Sequence, residues 1–311
     1  MTATIYFQLL GTRGSRPILA RDFVEFGGNT TAYKIWADSL FPIYVDGGSG
    51  LFREGARLDA QIKQFTFLLT HAHWDHILAF PFFKPLYHPN TYARFWGSPS
   101  FKKTFEELFK HQFQADAFPV NYSEIPSTIK FTAIRSQQTF NILPPPAFQK
   151  RQNPHPSSAD QGYTISTYQI NHPGFDLGYR ITYQTKSIVI LTDIAPITSN
   201  HLGHGMQNFT KSDEDDYYQG LIEFCWKADL LLHDTHFNEH TIKGKENWGH
   251  STEIMATRLA MQSQVKQLIL GHHAPEDNDA MILQKLDRAR QYSKHSGLHV
   301  IISKEDEILT V

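Results

Sequence analysis

The chain has 311 residues, 41% of them hydrophobic and 13% aromatic, enough to bury a sizeable core in one large domain or two small ones, and one domain over 1–311 is expected. A formal net charge of -2 argues against the global basic field behind nonspecific nucleic-acid binding, and a single cysteine, Cys225, excludes an internal disulfide and fits a reducing compartment. No run of about 18 apolar residues occurs and Met1 to Leu10 lacks a basic segment leading into a long apolar one, so a cytoplasmic protein that does not engage a membrane is expected.

Thr4 to Leu10 reads as a strand, broken by Gly11-Thr12-Arg13-Gly14-Ser15-Arg16-Pro17, where glycine frees the backbone and proline cannot continue a ladder. This loop is either a solvated turn or one whose arginines and backbone amides meet an anion; on the second reading Arg13 is a candidate for binding an anionic group of a substrate. Ala32 to Trp36 and Phe41 to Val45 are the next strands, and short strands joined by tight turns imply antiparallel pairing. The second ends at Asp46 in a glycine-rich turn, where the aspartate is a plain turn residue or an acceptor that orients a ligating histidine.

Gly50 to Gln64 reads as a helix, Phe65 to Leu69 as a buried strand, Ile77 to Phe83 as the start of another helix, and Phe101 to Phe113 as a helix with an aromatic core face. Leu143 to Gly162 holds Pro144-Pro145-Pro146 and Asn153-Pro154-His155-Pro156, an irregular loop that is either a lid or disordered, with His155 a solvated loop histidine rather than a substrate contact. Thr164 to Ile170 ends at Asn171-His172, and the hairpin-like pair Gly178 to Gln184 and Ser187 to Leu191 ends at Thr192-Asp193. Ala228 to Leu232 runs into His233-Asp234-Thr235-His236. A helix capped by Ser251 or Thr252 follows His250 and runs to about Met261. Gln267 to Leu270 ends at Gly271-His272-His273, and Leu298 to Ser303 is expected to pair with Glu307 to Val311 around Lys304-Glu305-Asp306.

The densest chemistry lies in Thr70-His-Ala-His-Trp-Asp-His76, directly after an apolar strand. Imidazole nitrogen and carboxylate oxygen are the donors that borderline divalent metals take, and on an extended segment His71 and His73 point to one side, so one ion can take both. Asp75 and His76, on the turn beyond, can reach a second ion. The pattern is half of a two-metal centre. His172, Asp193 and either His272 or His273 also stand at strand ends, and a set sharing one sheet edge converges on one place.

The ordered set Asp46, His71-Ala-His73-Trp-Asp75-His76, His172, Asp193 and His272 resembles the five motifs of the metallo-β-lactamase superfamily, over nearly the whole chain. The resemblance implies an α/β fold, an αββα four-layer sandwich, with one ion held by His71, His73 and His172, another by Asp75, His76 and His272, Asp193 bridging them, and Asp46 supporting a ligand from behind. Within the superfamily the chain is most similar to the ribonuclease Z and phosphodiesterase branch. Gly11-Thr12, His233-Asp234-Thr235-His236 in place of His-Glu-Ala-Thr, and His250-Ser251-Thr252 in place of His-Ser-Thr carry that likeness. Gly271-His272-His273-Ala274-Pro275 matches the branch's Thr-His-Phe-Ser-Pro and puts the ligand at His272. Two departures stand out: Asp234 is one methylene shorter than the branch's Glu, and only about 20 residues separate His172 from Asp193, too few for the long arm that grips tRNA.

The expected function is therefore hydrolysis of a small or cyclic nucleotide-type phosphodiester by a hydroxide bridging two divalent ions, zinc first, with manganese or iron accepted by the same donors. Asp75 takes part as ligand and in catalysis, His250 is the general acid, and Asp234 fixes its tautomer. A ribonuclease Z-like RNA endonuclease, a lactone or thioester hydrolase, and a metal-binding protein without catalysis are the alternatives. The expected partners are a small-molecule phosphodiester and a second copy of the chain, with RNA not favoured.

Overall fold

The computed structural model describes residues 4–37, 40–58, 63–98, 104–114, 116, 118–144, 162–174, 176–195 and 211–311. Residues 145–161 of the expected loop, His155 among them, lie outside the described residues. No helix among the described residues is long and apolar enough to cross a membrane.

Fourteen strands form two seven-stranded sheets among the described residues. The first sheet comprises β1 (Ile5–Gly11), β2 (Ala32–Ala37), β3 (Ile43–Val45), β4 (Gln64–Leu69), β5 (Tyr92–Gly97), β6 (Thr128–Ala133) and β14 (Ile308–Thr310), ordered β14-β1-β2-β3-β4-β5-β6. Pairing is antiparallel from β14 to β3, as the tight turns suggest, and parallel from β3 to β6, where longer connections carry helices. The second sheet comprises β7 (Thr139–Ile142), β8 (Tyr163–Ile170), β9 (Asp176–Tyr183), β10 (Lys186–Leu191), β11 (Leu230–Asp234), β12 (Gln267–Gly271) and β13 (His299–Ile302), in the order β13-β12-β11-β10-β9-β8-β7. It is parallel from β13 to β10 and antiparallel from β10 to β7.

The α-helices among the described residues are α1 (Leu51–Arg57), α2 (Trp74–Ile77), α3 (Phe105–His111), α4 (Lys211–Cys225), α5 (Glu253–Gln262) and α6 (Asp279–Tyr292). The period-two alternation of the strands sorts their side chains into three apolar layers. Ile188, Ile190, Leu230 and Leu232 meet Phe7, Leu9, Ile35 and Val45 between the sheets. Val189, Leu191, Leu231 and Leu268 point the other way, onto Leu259, Ile282 and Leu286 of the covering helices. Phe65, Phe67 and Phe95 pack on Phe80, Phe105 and Phe109 beyond the first sheet. Three apolar layers between four structural ones make the expected αββα sandwich.

Three local expectations need correction. The last two strands do not pair with each other: β13 adds to β12 and β14 to β1, in opposite sheets. Val300 and Ile302 face the helix-side core while Ile301 packs between the sheets, so β13 needs cover on both faces, which a terminal hairpin cannot supply. The helix after the histidine-rich turn is shorter than expected and begins earlier, at Trp74, because Pro81 and Pro85 lack the N–H donors of a longer helix and the chain continues as 3-10 turns. Helix α1 ends at Arg57 rather than running to Gln64, where β4 begins.

Candidate metal centre

The candidate residues leave the carboxyl ends of strands along one edge of the sandwich: Asp46 follows β3, His71 to His76 follow β4, His172 follows β8, Asp193 follows β10, Asp234 ends β11 and His272 follows β12. The two sheets are tied beside this edge by the Leu177 amide donating to Thr70 O at 3.1 Å and the Tyr179 hydroxyl donating to Leu69 O at 2.5 Å. Asp46, Asp193 and His272 have φ of 61°, 52° and 53°, left-handed conformations that turn the chain out of its strand.

Two groups of donors match the expected ligand sets, His71 with His73 and His172, and Asp75 with His76, Asp193 and His272; two further groups, His236 with His250 and His272, and His172 with Asp193 and His250, overlap them. His172 Nε2 lies 3.1 Å from His73 Nδ1. Two nitrogens on one zinc ion at bond lengths of about 2.0–2.1 Å and a tetrahedral angle stand about 3.3 Å apart, so this pair is already near ligand spacing. His76 Nε2 and His272 Nε2 lie 3.0 and 3.1 Å from Asp193 Oδ2, while Asp193 Oδ1 is 3.9 Å from both His71 Nε2 and His172 Nε2. One oxygen of Asp193 thus faces each group.

The donor set fits divalent cations on a further observation. His71 Nε2, His76 Nε2, His272 Nε2 and Asp193 Oδ2 are buried and have no aligned hydrogen-bond partner. Each unsatisfied buried polar group costs about 1–3 kcal/mol, and a cation in the gap they face would satisfy all of them. The opposite nitrogens are already held. Asp46 Oδ2 accepts from His76 Nδ1 at 2.8 Å, and Gly249 O accepts from His172 Nδ1 at 2.8 Å, which leaves both Nε2 lone pairs facing inward. Asp46 also accepts from the Thr70 amide and hydroxyl, each at 2.8 Å, and Thr70 Oγ1 lies 3.1 Å from His71 Nδ1.

Burial and neighbouring charge push these groups in different directions. Burial holds the His71 imidazole well below its usual range, helped by His76, and burial lowers His172 to about 4. Burial also disfavours the His76 cation, but Asp193, Asp75 and Asp46 outweigh it and hold His76 well above its usual range. Burial alone would raise the Asp193 and Asp75 carboxyls; the surrounding histidines hold both well below the carboxylate range.

Beside the donors, His250 Nδ1 lies 2.8 Å from Asp234 Oδ2, and the buried Asp234 also accepts from the Ile194 amide at 3.2 Å and the His236 amide at 2.7 Å. The shorter aspartate therefore still reaches His250. His273 is turned away, its ring nitrogens near Ser303 Oγ and Thr235 Oγ1, while its backbone pairs with Thr12 and Gly14.

Arg13 does not face the site, contrary to expectation. It is fully buried, with its guanidinium donating to the carbonyls of Gly27, Ala274 and Asp277, because an interior guanidinium must spend its donors on fixed acceptors. The same loop reaches the site differently: the Ser15 amide donates to Asp75 Oδ2 at 2.7 Å, and a Cβ on Gly14 would stand 2.4 Å from His272 Cε1. The Gly14-Ser15 pair is the trace of this contact in the sequence. His236, whose ring stacks on His250 with centroids 4.2 Å apart, was marked only by its place in the His233 to His236 segment.

The beta-lactamase superfamily domain matches residues 43–273, well over half of the chain. The chain belongs to the metallo-β-lactamase superfamily. As a metallo-β-lactamase-fold protein with this His and Asp cluster, it is a metal-dependent hydrolase, and the fold implies divalent metal ions. Its sequence is similar to ribonuclease Z of Lactobacillus helveticus (strain DPC 4571), 20% identical over 297 residues, covering 85% of this chain and 86% of that one. Other ribonuclease Z sequences match over shorter stretches at 25–46% identity, so that the chain spans only 16–31% of their length. The fold is shared by unliganded yeast PDE1, with TM-score 0.67 and 14% identity, and by the metallo-beta-lactamase fold protein YhfI from Bacillus subtilis, with TM-score 0.65 and 17% identity, each covering 100% of both chains.

Proposed function

We propose that this metallo-β-lactamase-fold hydrolase is a phosphodiesterase acting on a small or cyclic nucleotide-type phosphodiester. His71, His73 and His172 would hold one divalent ion and Asp75, His76 and His272 another, with Asp193 between the two donor groups and Asp46 fixing His76 from behind. When bound, such ions supply Lewis acidity, acidifying a water and neutralising charge that develops on the phosphate oxygens. Zinc suits this nitrogen-rich donor set best, with manganese or iron accepted by the same atoms.

The observation that carries the phosphorus reading is the Asp234 to His250 pair. Asp234 accepts from Nδ1, so Nε2 is the nitrogen that presents the proton to the leaving oxygen, and His250 Nδ1 stands 3.9 Å from Asp193 Oδ1, at the border of the donor set. An alkoxide leaving phosphorus needs that proton, whereas the thiolate leaving a thioester departs without a separate histidine acid. Trp74 and Trp248 support a nucleotide. They are 71% and 57% exposed, they neighbour His73 and Gly249, and those two residues contact opposite nitrogens of the His172 ring. Exposed aromatic faces so placed offer stacking for a base. The single buried cysteine, Cys225, supports a cytoplasmic setting.

His250→Ala should lower turnover of a cyclic nucleotide by about 100-fold or more with metal content unchanged. Unchanged turnover would remove His250 from the mechanism. A panel of bis(p-nitrophenyl) phosphate, cyclic nucleotides and simple lactones tests the substrate class. RNA cleavage is the second reading, favoured by the ribonuclease Z relatives. Against it, the interval between His172 and Asp193 is taken up by the hairpin of β9 and β10, which leaves no room there for a long arm. RNA binding that weakens steeply with salt would restore it.

A further inference from the structure

A third imidazole stands against the Asp234 to His250 pair. The His236 ring lies nearly parallel to that of His250, centroids 4.2 Å apart at 14°, and the His272 ring also stacks with His250, at 5.3 Å and 27°. His236 is anchored through its main chain. Its amide donates to Asp234 Oδ1 at 2.7 Å, and its carbonyl accepts from the buried Lys285 ammonium at 2.9 Å, which is itself paired with Asp277. Of its ring, Nδ1 is buried without a hydrogen-bond partner, and His236, His250 and His272 bring one nitrogen each within 4.8 Å of one another.

One residue thus touches both members of the pair, the carboxylate through its backbone and the imidazole through its ring face. A single hydrogen bond at Nδ1 leaves an imidazole free to rock about that bond, because the terminal torsion of histidine is broad. A flat ring packed against it narrows that motion. We propose that His236 is a positioning residue that clamps the His250 ring so that the nitrogen remote from Asp234 stays aimed at the leaving oxygen. This rests on the reading of His250 as general acid. In the step it serves, a water oxygen bonds to phosphorus and releases a proton to solvent, the P–O bond to the leaving group breaks, and the departing oxygen takes the His250 proton. Solvent then reprotonates His250, and the products are an alcohol or phenol and a phosphate monoester.

The test is a leaving-group series, symmetric bis(aryl) phosphates of increasing phenol basicity, on metal-loaded enzyme. His236→Ala should lower kcat about tenfold on the most basic phenol, with little change for p-nitrophenol, so that log kcat falls more steeply with phenol basicity. KM, metal content and thermal midpoint should stay near those of the parent. His236→Phe, which keeps a flat face but no nitrogen, should restore the parent slope. An equal loss across the series, or an unchanged slope in His236→Ala, would overturn the clamp, as would failure of His236→Phe to restore it. His250→Ala separates the two readings. If it steepens the slope and His236→Ala does not, only the clamp fails; if it leaves the slope unchanged, the acid role beneath it fails.

Discussion

Asp46→Asn tests how the site prepares its histidines. The substitution conserves shape, and asparagine tolerates the left-handed φ of 61° found there, so the backbone need not move. In the native site the carboxylate accepts three hydrogen bonds of 2.8 Å, from the Thr70 amide, the Thr70 hydroxyl and His76 Nδ1. A carboxamide can keep its oxygen on the Thr70 amide, and the Thr70 hydroxyl can turn to accept from its NH2. His76 has no such freedom. Facing an NH2, either Nδ1 keeps its proton and two buried donors oppose each other, at a cost of about 1–3 kcal/mol, or the proton moves to Nε2 and removes the lone pair that faces Asp193. Both routes weaken cation binding, by roughly 10–100-fold, the usual loss when the hydrogen-bond partner behind a ligating histidine is removed. Stripped protein titrated with zinc in competition with a chromophoric chelator measures this directly. An affinity equal to the parent's would refute the claim that Asp46 sets the His76 tautomer.

Acid should destabilise the metal-free protein before the carboxylates titrate. Burial lowers His172 to about 4, so its contribution is complete above the unfolded value near 6.5 and is lost as pH falls from there toward 4; the shift corresponds to about 3 kcal/mol. His71 moves in the same direction, whereas His76, raised in the fold, contributes fully below 6.5 and loses its part only as pH rises. Urea midpoints of the stripped protein between pH 7 and 4 check the window, and a flat profile counts against a neutral buried His172. Gly14→Ala places a methyl 2.4 Å from His272 Cε1 and should cut zinc affinity at least about tenfold; full retention of zinc under dialysis speaks against this packing. His272→Gly should leave the stripped protein about 1 kcal/mol more stable than His272→Ala, the reverse of the order in a helix, because φ there is 53°; an alanine variant as stable as the glycine one contradicts the strained turn.

The centre was legible in the sequence where chemistry is crowded and illegible where it works through the backbone. His71 to His76 place four donors in six residues; Asp193 and His272 stand just past apolar runs and His172 just past an alternating one, which is how a strand end looks. His272 and His273 are adjacent and equally placed by that rule; family resemblance chose between them, and the fold buries His273 against Ser303. Ser15 acts through an amide that any residue but proline would offer, so its identity says nothing of its role. Arg13 looked like an anion ligand because a charge in a loop carries no mark of whether the loop is folded inward. The strands Tyr92–Gly97 and Thr128–Ala133 have weak signals beside their neighbours, and Thr128–Ala133 has no buried residue to give it an apolar face.

The two donor groups differ in a way that argues for catalysis over a structural ion. Asp75, His76, Asp193 and His272 are all buried, His76 and His272 completely, so nothing as large as a phosphodiester approaches them from behind. The other group is open on one side, because His73 is exposed while His71 and His172 are not. A closed site with four protein ligands holds its metal as a staple; an open position is what admits water or substrate. The His172 ring connects the open histidine to Gly249, the neighbour of His250, so a leaving group bound at the open side lies along the path to the candidate acid. The left-handed turns at Asp46, Asp193 and His272 belong to the same logic. Each costs energy; those at Asp193 and His272 aim donors into the cluster, and the one at Asp46 turns its carboxylate onto Thr70 and His76.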